Sequence, residues 1–172
     1  MNFAAMELSK KERLSLINQF LILEKLYPGE ASYYEQHRIA LQHGFQLHYG
    51  WILENVWDDL SEKECRKVLD ALDLYRGIVS SFNALPEKDG LSESTVRFPG
   101  FDGNNEPHYL AYARYFIVDL DRYEELIRGQ EYPGFNSHCP MLETYGRMTL
   151  LWSSWHRPYN MSAAQIRTLL EA

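Results

Sequence analysis

The side chains best placed to do chemistry fall in one stretch, RFPGFDGNNEPHYLAYARYF, from Arg97 to Phe116. It brings two guanidinium groups (Arg97, Arg114), a carboxylate (Asp102) and an imidazole (His108) to one turn and one helix start. Paired arginines could hold an anionic ligand, and a carboxylate with a nearby histidine could move protons. A structural reading competes with both. Gly100 permits a positive φ, and Asp102 can accept bonds from backbone amides two residues on, as turn-forming aspartates do. Helical spacing puts Arg114 on a flank beside Leu110 and Ile117, where a half-buried guanidinium needs an acceptor; Asp102 is the natural one, with Arg97 near enough to clamp the same turn. The residues favour this Arg–Asp clamp. The alternative is an arginine-lined pocket for an anion; a carboxylate and a histidine across a turn are too common to carry catalysis.

A second stretch, GFNSHCPMLETYGRM, reads similarly. Asn136 is suited to bridge loop carbonyls or to cap the helix that follows. Arg147 stands four residues after Glu143, the favourable order for a helix ion pair, with recognition or assembly as its other role. The candidate set is therefore Arg97, Asp102, Arg114, Asn136 and Arg147, as ligand-binding or structural clamp residues, and no catalytic residue is assigned. Six histidines, at 37, 43, 48, 108, 138 and 156, include no pair three or four apart, so the spacing predicts no metal site. Cys65 and Cys139 lie far apart without a CxxC and read as reduced thiols, Cys139 being the better candidate for reactivity beside a helix start. GxSxG, GxxxxGK[ST] and GxGxxG are all missing, and no cofactor is expected.

The elements that must position these residues are helices. Ser9 with Glu12 forms a capping box ahead of LSLINQFLILEKLY, which Pro28-Gly29 stops. A second helix spans Ala31 to His43 and ends at Gly44, and an aromatic segment from Phe45 to Trp57 follows. Ser61 with Glu64 opens the clearest helix, where Val68, Leu69, Leu72, Tyr75, Val79 and Phe82 recur at helical spacing up to Pro86. Arg76 lies at the edge of that arc, suited to pair with a carboxylate at the rim. A polar loop leads to a helix near Asn105, with Pro107 in its first turn and Tyr109, Ala113, Phe116 and Leu120 inward. EYPGFNSHCP is a second irregular stretch; Pro140 then opens a helix through Trp155, with Tyr145, Met148 and Trp152 on one face. Ser162 and Gln165 cap the last one. The fold class is all-α, a bundle of six to seven helices with two long ordered loops.

Composition narrows the partners. Over 172 residues the formal net charge is −7 and Lys and Arg are scattered, which argues against nucleic acid. Drawn as helix, turn and recognition helix, HRIALQHGFQLHYGWILEN fails for want of a cation after Gly44. Without ~20 consecutive apolar residues or a signal-like N-terminus, no membrane span is expected and the cytoplasm is the expected compartment. Twelve tyrosines and four tryptophans supply side chains suited to half-buried surfaces.

With these pieces placed, the chain resembles the YfbU family of bacterial proteins. The resemblance rests on Arg97-Phe98-Pro99-Gly100-Phe101-Asp102, Tyr109-Leu110-Ala111-Tyr112-Ala113-Arg114, Gly134-Phe135-Asn136, Pro140, Tyr145-Gly146-Arg147-Met148, Trp152 and Met161-Ser162. The last pair departs from the family frame, with Met where Leu stands. The likeness covers essentially the whole chain, so residues 1–172 are expected to form one helical domain. It implies a mostly helical, cytoplasmic, self-associating protein and no established activity.

Two functions from different classes remain. One is a non-catalytic interaction or regulatory protein built on a homo-oligomer. The other is a small-molecule-binding or hydrolytic enzyme using Arg97, Asp102, Arg114 and Asn136 around one pocket. The first helix favours the former. Leu14, Leu16, Ile17, Phe20, Leu21, Leu23 and Leu26 surround its axis, so it must be buried on two faces, within the chain or against another copy. A homodimer or dimer of dimers is expected, with that helix or the Phe45–Trp57 segment at the interface.

Overall fold

A computed structural model describes residues 6–127 and 134–172. The start of EYPGFNSHCP, at 131–133, lies outside the described residues. Among those described, the chain is helical with no strand, as expected, and divides into two compact units, Met1–Asp59 and Leu60–Ala172. No described helix is long and apolar enough to cross a membrane.

In the N-terminal unit, α1 (Lys10–Leu26) starts at the Ser9 capping box: the Glu12 N–H donates to Ser9 Oγ, and the Ser9 N–H to Glu12 Oε2 at 2.8 Å. Its inward face packs Phe20 with Leu41 and Tyr49, flanked by Leu16, Ile17 and Leu23. Two polar links hold it to α2 (Ala31–His43): Arg13 Nη1 donates to the Leu41 carbonyl at 2.9 Å, and Arg38 pairs with Glu24 at 2.6 Å. Gly44 ends α2 in the left-handed region, φ +73, where its N–H reaches the Ala40 carbonyl. The aromatic segment then forms a 3-10 helix, Gln46–Leu53, that contributes Tyr49 to the core. Within this unit α1 is buried on one face only. α2 is its one long partner there and covers one flank, so Leu14, Leu21, Ile22 and Leu26 stay exposed.

The C-terminal unit is organised on α3 (Glu62–Ala84), opened by the Ser61–Glu64 capping box. Val68, Leu72, Tyr75, Val79 and Phe82 are buried as their spacing predicts. The helix stops because Pro86 forces Leu85 out of the helical region. Three later helices belong to the same unit: α4 (Pro107–Arg114), α5 (Leu142–Ser154) and α6 (Ala163–Leu170). Gly77 lets α3 approach α5, since a Cβ there would stand 3.0 Å from the Trp152 ring. Ser81 Oγ accepts the buried Met161 N–H at 2.9 Å, tying α3 to the entry of α6. Arg76 pairs with Glu125 at the rim, its guanidinium 3.8 Å above the Tyr123 ring.

One periodicity shifts. α4 runs into a π-helical turn at Tyr115–Asp119, closed by the Leu120 N–H on the Tyr115 carbonyl. The wider turn advances the phase. Ile117 is therefore fully buried, whereas Leu120, expected inward, is exposed.

Candidate functional site

The quoted segment builds a junction of two loops. Gly100 sits at φ +91, and its neighbour Phe101 donates its N–H to the Phe135 carbonyl at 2.9 Å, while Ser137 donates to the Phe101 carbonyl at 3.2 Å. Phe101 and Asn136 thus form a parallel bridge between the loops. Beneath it Phe98, Phe101, Phe135 and Tyr145 pack ring on ring, and the Tyr145 hydroxyl donates to the Gly100 carbonyl at 2.6 Å. Burial among these rings pushes the Tyr145 hydroxyl pKa well up, so it serves as a fixed donor.

Asp102 is buried, 2% exposed, in the turn expected of it. Its carboxylate accepts the Asn105 side-chain N–H at 2.5 Å and the Asn104 backbone N–H at 2.9 Å. Those bonds, the Asn105 one first, hold its pKa below the ordinary carboxylate value. Asn136 Oδ1 accepts the N–H of Gly103 at 3.1 Å and of His138 at 3.0 Å, so it ties the two loops through amides and not through carbonyls, and it does not cap α5.

The cap of α5 comes from a residue outside the predicted set. Glu106 is buried, 7% exposed, and its carboxylate accepts the N–H of Met141 at 2.9 Å, of Leu142 at 2.8 Å and of Asp102 at 3.1 Å. A helix N-terminus presents unpaired N–H groups and a partial positive charge, and Glu106 supplies the acceptor for both. Glu106 also stands at the N-cap of α4, where its side chain makes no cap bond, so its carboxylate fixes the start of α5 and the first loop. Its sequence signal was slight: an acidic residue before Pro107 reads as an ordinary exposed helix start.

The arginines stand elsewhere. Arg114 is exposed and, among the described residues, makes no hydrogen bond or ion pair, so the expected clamp to Asp102 does not form. The reason is local: amide N–H donors already occupy the Asp102 oxygens, and Arg114 at the end of α4 projects to solvent. Arg97 is likewise exposed, lining a small recess with Glu93 and Glu125. Arg147 does not pair with Glu143; its Nε donates to the Ala172 carbonyl at 3.1 Å and its Nη2 to Thr144 Oγ1 at 3.2 Å, which fastens the end of α6 to α5. Of the five candidates, the fold brings Asp102 and Asn136 together and separates the three arginines from them. Arg114→Ala should therefore shift stability by less than about 0.5 kcal/mol. A thermal melt checks it, and a loss near the ~3 kcal/mol expected for breaking a buried ion pair would restore the clamp.

What the junction can do chemically is hold backbone in place. Its carboxylates accept amide donors, and among the described residues neither forms an ion pair with a cation. The model of the YfbU domain matches residues 6–172, across both compact units.

Proposed function

The chain belongs to the YfbU family, and from that premise we propose that it acts as a non-catalytic interaction or regulatory protein of the cytoplasm, assembled as a homodimer or a dimer of dimers. One observation carries this reading: the outer face of α1 leaves Leu14 at 58%, Ile22 at 58% and Leu26 at 66% exposed, with Leu21 beside them. Exposed large apolar side chains grouped on one helix face mark interaction surfaces, and here exposed Asn18 and Lys25 stand among them. A second copy is the occupant that one face can serve, because a two-fold axis uses the same patch on both chains. Asn18 strengthens the case for self-pairing. It stands exposed among Leu14, Leu21 and Ile22, and an amide both donates and accepts, so it can pair with its own counterpart and fix the register. That the match runs through both units supports reading the chain as one functional domain.

The hydrolytic or ligand-binding alternative needs Arg97, Asp102, Arg114 and Asn136 around one pocket, and the two arginines lie apart from the other pair. The assembly reading makes a direct prediction. Leu21→Lys with Ile22→Lys should convert the oligomer to single chains while the helical circular dichroism is unchanged, since neither side chain is in the core. Light scattering decides it: a variant that keeps the wild-type particle mass would move the interface away from α1.

A further inference from the structure

In the N-terminal unit a recess of about 250 Å³ opens between α2 and the 3-10 segment. Ile39, Ala40, Phe45 and Trp51 give it apolar and aromatic walls, and His37 and His48 line it as well. His37 is 5% exposed, and Phe45 and Trp51 are about half exposed. Nε2 of His37 and Nδ1 of His48 are both buried, and neither has a hydrogen-bond partner among the described residues. Two orphaned imidazole nitrogens in one recess require an account, because buried polar atoms in folded proteins are nearly always paired.

Their ring contacts narrow the chemistry. Phe20 stacks on His37 at 5.5 Å, Tyr33 meets it edge-on at 4.6 Å, and Trp51 meets His48 edge-on at 4.3 Å. Such contacts can absorb a ring N–H weakly into a π face, but they offer nothing to a nitrogen lone pair. Burial also lowers the His37 pKa, which keeps the neutral form and its lone pair. Gln36 and the Trp51 indole also line the recess and carry N–H donors, yet among the described residues neither of the two buried nitrogens receives one. The recess volume falls below the range of about 300–1,000 Å³ usual for drug-sized ligands, which suits a ligand of one or two fused rings.

We infer that this recess binds a small aromatic molecule carrying a single O–H or N–H donor, of the phenol or indole class, which stacks on Phe45 or Trp51 and donates to the free nitrogen of His37 or His48. Both nitrogens are buried behind the walls, so a ligand reaches them only if the half-exposed rings of Phe45 or Trp51, which pack on His48, move aside. The inference is independent of the assembly proposed on α1.

The test is a titration of the ¹⁵N-labelled 172-residue chain near pH 8 with phenol, and with toluene as a control of the same shape without a donor, reading the histidine ring nitrogens. Phenol should saturate and shift the resonance of His37 or His48, identified by its loss in His37→Phe or His48→Phe, and should bind at least tenfold more tightly than toluene. In the variant lacking the acceptor that tenfold preference should vanish. Absence of any saturable shift, a shift confined to another histidine, or equal binding of toluene would each overturn the assignment. The phenol–toluene comparison in the unmodified protein decides the matter even if a variant fails to fold.

Discussion

Gly100→Ala should be the most damaging single substitution in the loop junction, costing more than about 4 kcal/mol. A Cβ at position 100 would lie 1.7 Å from the Phe135 carbonyl oxygen and 2.2 Å from its carbon. Those are backbone atoms, so no side-chain rotation relieves the overlap. The φ of +91 adds strain that alanine would meet even in open space. Relief requires the two loops to part. That breaks the Phe101–Phe135 hydrogen bond and separates the packed rings of Phe98, Phe101, Phe135 and Tyr145 beneath it. For a chain of this size the melting temperature should fall by about 10 °C or more. Gly90→Ala is the control: its φ is +79 but nothing lies within 4 Å, so only the backbone term, ~1 kcal/mol, remains. Equal melts for the two variants would contradict the close approach of the loops.

Glu106→Ala should be nearly as severe, at ~3–5 kcal/mol, for a different reason. Removing the carboxylate strips acceptors from the N–H groups of Met141, Leu142 and Asp102 at once. Each buried donor left unpaired costs ~1–3 kcal/mol, and the start of α5 loses its favourable charge as well. Glu106→Gln keeps one acceptor oxygen and nearly the same shape, so it should lose only part of that amount. Urea unfolding of the two variants tests the order. If alanine is no worse than glutamine, or if both fall within 1 kcal/mol of the unmodified protein, Glu106 does not organise the junction.

How much of this was legible in the sequence depends on how local each cause is. Capping boxes at Ser9, Ser61 and Ser162 are contacts between residues three apart, and all three form as read. The stripe Tyr145, Met148 and Trp152 is buried for the same reason: helical spacing alone fixes it. The turn at Asp102 was also readable, because an aspartate bonding amides just ahead of it needs nothing remote. Failures begin where the partner is distant. The sequence pairs Arg114 with Asp102 because a half-buried guanidinium needs an acceptor, yet Arg114 is exposed and amides satisfy the carboxylate, leaving no charge pattern to read. Glu106 bonds residues in a segment far along the chain, and only the fold brings them together. The π turn at Tyr115–Asp119 likewise has no pattern of its own, so one extra residue per turn silently moved Ile117 inward and Leu120 outward. The orphaned nitrogens of His37 and His48 were invisible for a further reason: a histidine on a helix is read as ordinary until its surroundings are known.

The proposed role stands or falls on whether the chain associates with itself. Sedimentation equilibrium of the 172-residue chain at micromolar concentration measures that without labels or variants. The account predicts a particle of twice the 20.2 kDa chain mass, or four times for a dimer of dimers. A single species of 20.2 kDa across that range would contradict it.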